Sequence, residues 1–307
     1  MEVKVPRAGM LTTVQDLGRP GHRASGVPLG GAADPLAARI ANMLVGNSEN
    51  TAVLEFTLRG PELEFSRETM VAVGGGDFGA VPLWQPIMVP AGGHLAFGMA
   101  RTGCRGYLAV AGGFEVAKVL GSSGTYLRAA LGGHEGRALR DGDVLRAPGS
   151  SRHAAGRWHI DERILPNYSG APTLRVIPGA QATEYGRSFF ESQFSVTAKS
   201  DRMGARLAGC ALERAGADEL VSTPVVPGTV QVPPDGQPII LLADAQTIGG
   251  YPQIAHVIGV DLPLVAQLRP GDAVRFREVT LAEAHELALA RERQLGMLHE
   301  GLAQKFC

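Results

Sequence analysis

The segment DAQTIGGYPQI (244–254) places Asp244, Gln246, Tyr251 and Gln253 around two glycines, Gly249 and Gly250, directly after the apolar run QPIILLA. An acid, two carboxamides, a phenol and bare backbone amides supply donors and acceptors together. That set suits a small, amide-like ligand better than a highly charged one. The competing reading is a buried turn whose Asp and Gln satisfy loose backbone groups. A second segment, SDRMGARLAG (200–209), joins Asp201 to Arg202, whose guanidinium fork can hold a carboxylate at two points; Asp201 is equally suited to cap a helix there. A third, TVQDLGRPGHRASGVPLGGAAD (13–34), sets Gln15, Asp16, Arg19 and His22 among glycines that allow close backbone approach. A tied loop, with Asp16 capping a turn and Arg19 in a salt bridge, explains that segment equally well. In the functional reading Asp201 or Asp244 accepts an N–H or acts as a base. Arg202 and the Gly249 and Gly250 amides stabilise a developing oxyanion. Gln246, Tyr251, Gln15 and Asp16 complete the substrate contacts.

Other chemistries lack their residues. The four lysines, Lys4, Lys118, Lys199 and Lys305, follow no GxxxxG, so no Walker A loop is present, and none sits in a biotin-carrying hairpin. GxSxG, HExxH and a strand-to-helix GxGxxG are missing too. If ATP or biotin takes part, another chain is expected to bring it. Three scattered cysteines (Cys104, Cys210, Cys307) without a CxxC indicate a reducing compartment and no metal site. His153 and His159 are the nearest pair with metal-like spacing, and a chance pair explains them. A net charge of −1 argues against nucleic-acid or membrane-surface binding. No window approaches a membrane span, and MEVKVPRAG lacks the apolar core of a signal peptide, so a cytoplasmic protein is expected.

Three landmarks recur in order along the chain and set the elements that must position these residues. KVPRAG (4–9) answers to RVIPGA (175–180), DPLAARIA (34–41) to DRMGARLA (201–208), and LRDGDVLR (139–146) to LRPGDAVRF (268–276). Two copies of one domain follow. Between the second and third landmarks the first copy is about 38 residues longer. The expected division is a first β-barrel domain over 1–150 with an insertion near 76–135, a Gly/Pro/Ser-rich linker at 147–172, a second barrel over 171–279 and a C-terminal helix over 280–307. Short apolar runs such as TAVLEF, MVAVGG and PIILLA, bounded by some of the 41 glycines and 20 prolines, indicate a mainly β protein. A helix is expected from Asp34, which caps it, with Pro35 in its first turn and a Leu36, Ile40, Met43, Leu44 stripe; a shorter echo is expected at Asp201. Thr280 and Glu283 form a capping box for the last helix, with Leu281, Ala284, Ala288, Leu295 and Leu298 as its stripe.

Together the three polar segments, LAVAGGF…LGSSGTY and VVPGTVQVPPDGQPIILLADAQTIGGYPQIAHVIGVDLPLVAQLRPGD resemble the allophanate hydrolase subunit 2 family, also called biotin-dependent carboxyltransferase-like. The resemblance covers about residues 3 to 279. It implies a pair of cyclophilin-like β-barrels. It also implies a partner of the allophanate hydrolase subunit 1 type. Where the assembly is an ATP-dependent 5-oxoprolinase, which opens 5-oxo-L-proline to L-glutamate, a lactam-utilisation-type protein joins as a further partner. Fused relatives move a carboxyl group from carboxybiotin, carried elsewhere, to urea. Two positions depart from the family pattern: Ile248 stands where a second threonine is frequent, and Gln253 where lysine is frequent. The second departure puts in doubt any mechanism needing a cation there.

Overall fold

A computed structural model describes residues 1–149, 159–216 and 220–306. Part of the expected linker, with His153, lies outside the described residues. The chain divides into two compact units, and neither is continuous in sequence. One comprises Met1–Arg19, Gly30–Pro166 and Gln294–Cys307; the other comprises Pro20–Leu29 and Asn167–Arg293.

Among its described residues the first unit holds nine strands: β1 (Glu2–Arg7), β2 (Leu11–Gln15), β3 (Val53–Thr57), β4 (Glu62–Phe65), β5 (Thr69–Asp77), β6 (Pro86–Val89), β7 (His94–Ala96), β8 (Thr102–Val110) and β9 (Val144–Arg146). They form a four-stranded sheet, β7-β4-β1-β9, and a five-stranded sheet, β2-β3-β8-β5-β6. Val3, Val5 and Phe65 from the smaller sheet share one core with Phe56, Val71 and Leu108 from the larger. The larger sheet is buried on its other face as well. There Met70, Ala72 and Tyr107 pack with the helix Pro35–Leu44. Burial on both faces explains why β5 reads as an unbroken apolar run rather than an alternating one.

The helix forms as its residues direct. Asp34 accepts the Ala37 N–H at 3.0 Å, Pro35 takes the first position, and Leu36, Ile40, Met43 and Leu44 are buried.

The second unit is a closed barrel. Its wall runs β10 (Thr173–Pro178), β17 (Gln253–Val257), β14 (Thr229–Gln231), β15 (Ile239–Leu241), β12 (Gly204–Ala208), β11 (Phe194–Val196) and β18 (Ala273–Glu278), and β18 closes onto β10. A two-stranded ribbon, β13 (Thr223–Pro224) with β16 (Ile248–Gly249), stands apart from the wall. Leu174, Val176, Leu207, Val230, Ile240 and Val274 point inward. Phe189 stacks on Phe276 with ring centres 4.3 Å apart and plugs the interior with Phe194.

The landmarks behave differently in space. The third makes the same turn twice. Asp143 accepts the Arg140 N–H and Asp272 the Arg269 N–H, each at 2.8 Å, with Gly142 at φ +91° and Gly271 at φ +94°. The strands that follow pair with the first strand of their own unit, but β9 runs antiparallel to β1 and β18 parallel to β10. The second landmark is corrected. Asp34 opens a helix, whereas Asp201 caps a turn that enters strand β12. Met203 and Leu207 keep the first half of the apolar stripe, but Gly204, a poor helix former, stands where the first copy has Ala37, and Cys210 and Ala211 stand where it has Met43 and Leu44.

The last helix is Leu281–Ala303. Thr280 Oγ1 accepts the Glu283 N–H at 3.1 Å, but the Glu283 carboxylate turns to Arg277 at 3.2 Å, so half of the expected capping box forms. Leu295 is buried, while Leu281 is 56% exposed and leaves the expected stripe. Among the described residues no helix is long and apolar enough to cross a membrane, and no group of three His, Cys, Asp or Glu is placed to hold a metal.

Candidate functional site

Strands β12 and β15 pair antiparallel, Gly204 opposite Leu241, and the ladder continues beyond them. Leu242 N–H donates to the Met203 carbonyl at 2.9 Å and Asp244 N–H to the Arg202 carbonyl at 3.0 Å. Between these two bonds the register slips by one residue, which sets Arg202 beside Asp244 rather than Ala243. The guanidinium Nε meets Oδ2 at 2.9 Å and Nη2 meets Oδ1 at 3.0 Å, with both side chains 5% exposed. The fork that the sequence offers to a substrate carboxylate is therefore filled by the chain's own aspartate. Asp244, for its part, is a paired carboxylate rather than a lone base. Asp201 is exposed, and its Oδ1 accepts the Met203 N–H at 2.8 Å and the Gly204 N–H at 3.2 Å. It caps a turn that delivers Arg202.

The glycines also separate. Val225 N–H donates to the Thr247 carbonyl at 3.1 Å. In an antiparallel ladder bonded pairs alternate with unbonded ones, so Thr223 opposite Gly249 is the next bonded pair. The Gly249 amide belongs to the ribbon and is not a loose oxyanion donor. Gly250 is exposed at the ribbon's end. Gln253, at the family's lysine position, is buried; its Nε2 donates to Thr223 Oγ1 at 2.8 Å and to the Pro224 carbonyl at 3.2 Å, tying the ribbon to the barrel.

Gln246 and Tyr251 line a cavity of about 530 Å³. Its floor is the outer face of β12, β15 and β14, because Gly204 and Arg206 point away from the core that Ala205 and Leu207 fill. Gln231, 1% exposed, sits beneath Gln246. Gln246 Nε2 donates to Gln231 Oε1, and Gln231 Nε2 donates to the Tyr251 carbonyl, both at 3.3 Å. Such long bonds are easily exchanged for better ones. Thr197, Lys199, Arg206 and Gln237 also line the cavity. Sequence reasoning missed them; Lys199, one of four lysines and immediately before SDRMG, carried the clearest signal. Close by, His256 Nδ1 meets Thr229 Oγ1 at 3.2 Å, and burial pushes its pKa below the usual histidine value.

Gln15 and Asp16 belong to the first unit and hold a loop there. Asp16 accepts from the Gly18 N–H at 2.8 Å, Ser122 Oγ at 2.6 Å and the Ser123 N–H at 2.6 Å. Gln15 Nε2 donates to Thr13 Oγ1 at 3.0 Å and the Thr125 carbonyl at 3.1 Å. Arg19, fully buried, donates to the Gly124 carbonyl. Nearby Glu55 accepts the Ala33 N–H and the Tyr107 hydroxyl the Asp34 N–H, each at 2.8 Å. Burial drives the Tyr107 phenol well above its ordinary range, so it stays protonated.

The carboxyltransferase domain family, subdomain A and B, matches residues 25–278. The chain belongs to that family. Among its relatives, the 5-oxoprolinase C subunit of Escherichia coli is 40% identical over 96% of this chain and 97% of its own length. The protein of the same name from Haemophilus influenzae is 38% identical over 95% and 96%. The crystal structure of Kluyveromyces lactis urea carboxylase superimposes with a TM-score of 0.90 at 30% identity, covering all of this chain and 30% of that one.

Proposed function

We propose that this protein is one component of an ATP-dependent 5-oxoprolinase, a cytoplasmic assembly that opens the lactam of 5-oxo-L-proline to L-glutamate. One observation carries the reading: the E. coli protein is 40% identical over 96% of this chain and 97% of its own length. The cavity beside Gln246 and Tyr251 supports it, because carboxamide donors and acceptors suit a small amide. In this reading Gln246 and Tyr251 contact the substrate, and the Arg202–Asp244 pair braces the loop that carries Gln246. ATP is bound by another chain of the assembly, since this one has no Walker A loop. The partners are a protein of the allophanate hydrolase subunit 1 type and a lactam-utilisation-type protein.

A second reading rests on the similarity to urea carboxylase: the carboxyltransferase component of a urea-type carboxylase, with biotin on a separate carrier. Reconstitution with the partner proteins, assayed for ATP hydrolysis with 5-oxoproline and with urea, separates the two. The expected result is 5-oxoproline-dependent ATP hydrolysis by the assembly and none by this chain alone. Urea-dependent, biotin-requiring turnover favours the second reading, and turnover of 5-oxoproline by the isolated chain overturns its role as one component among several.

A further inference from the structure

Arg206 on β12 lies directly opposite Ile239 on β15, which lies opposite Gln231 on β14. Residues opposite one another across a sheet share a face. A cation and a buried carboxamide thus stand on the same outer wall, two strands apart. That separation is about 10 Å between backbones at the usual strand spacing. Thr197 is drawn to the same wall, its N–H donating to the Arg206 carbonyl at 2.8 Å. Its hydroxyl is buried and has no hydrogen-bond partner among the described residues. Lys199 follows two residues later and lines the same cavity. Among the described residues neither Lys199 nor Arg206 has an acidic partner. Asp235 is an acid in the lining, and its Oδ1 accepts the Gln237 N–H at 3.0 Å. The cavity therefore combines two unspent cations, a buried hydroxyl lacking a partner, and a carboxamide pair held by long bonds.

We infer that this cavity is a subsite for a ligand carrying a carboxylate next to a cyclic amide. Arg206 and Lys199 hold the carboxylate, while Gln231 and Gln246 meet the amide. Urea, which has no carboxylate, makes only the second set of contacts. The assignment deepens the functional reading above, and the choice of lactam rests on that reading.

The test is calorimetric titration of the full chain with 5-oxo-L-proline, with 2-pyrrolidinone (the same lactam without its carboxylate) and with urea. The expected result is that 5-oxoproline binds about 10- to 100-fold more tightly than 2-pyrrolidinone, as charge-assisted bonds to one carboxylate allow. Arg206→Gln with Lys199→Gln should erase that preference and leave 2-pyrrolidinone affinity within about twofold. Both side chains are exposed, so folding should survive, and circular dichroism and thermal melting verify it. Equal affinity for the two lactams, an unchanged preference in the double variant, or no heat with any probe overturns the assignment. Turnover by the reconstituted assembly tests the reading separately. A preference for 5-oxoproline without turnover removes the reading and keeps the subsite. Turnover without the preference does the reverse.

Discussion

Arg202 and Asp244 are 42 positions apart in sequence and meet through two parallel bonds inside the second unit. The backbone ladder runs through Met203 and Leu242, and a one-residue slip, with Asp244 N–H bonded to the Arg202 carbonyl, brings them together as a cross-strand pair just beyond the ends of β12 and β15. Removing one partner strands the other charge in a buried place. Arg202→Met or Asp244→Leu alone should cost about 3–5 kcal/mol, and the double replacement should recover much of that loss. Urea unfolding of the three variants measures it. Additive losses in the double variant would mean that the two groups act independently.

Gln246 and Tyr251 have a different role. They face the cavity rather than the core, so Gln246→Leu and Tyr251→Phe should leave the melting temperature nearly unchanged. In the reconstituted assembly each should slow turnover at low substrate roughly 5- to 150-fold, corresponding to about 1–3 kcal/mol for a partner left unpaired. Kinetics and melting are recorded on the same preparations. Unaltered rates with lowered melting temperatures would make the segment scaffolding.

Asp16 gathers three donors from two separate stretches of the first unit. Asp16→Asn keeps the size but replaces one accepting oxygen with a donor. The expected loss is about 1–3 kcal/mol, together with faster hydrogen exchange at the Ser123 amide. Protection of that amide equal to wild type would contradict the role given to Asp16.

Asp143 sits between Arg137 and the Arg140 N–H, 14% exposed, and hydrogen bonding to Arg137 lowers its pKa from 3.8 to about 2. The folded carboxylate is the stronger acid, so on acidification the unfolded chain takes up its proton first. Its contribution to stability is complete above about pH 4 and is lost as the pH falls toward 2. Asp143→Asn should therefore be destabilised at neutral pH and lose less stability than wild type between pH 4 and pH 2. Parallel stability–pH curves for the two proteins would show the idea to be wrong.

The sequence by itself determined whatever is decided within a few residues. Asp34, Pro35 and an apolar stripe specify a helix because cap, first turn and buried face all lie within ten positions. Gly142 and Gly271, each followed by Asp, specify the same turn twice. Long, specific motifs also carried the family resemblance. Only the tertiary structure decided what each polar group meets. Arg202 looked free because its partner lies across a strand register that no local pattern encodes. Gly249 looked like a bare amide until the ribbon with Thr223 used it. Asp201 resembled Asp34, yet Gly204 and a stripe that ends at Leu207 led the chain into a strand. The cavity of Arg206, Thr197 and Gln231 exists because β11, β12, β15 and β14 are adjacent in the barrel. Cross-strand neighbours depend on which strands pair and in what phase, and that choice is made by burying the whole core at once.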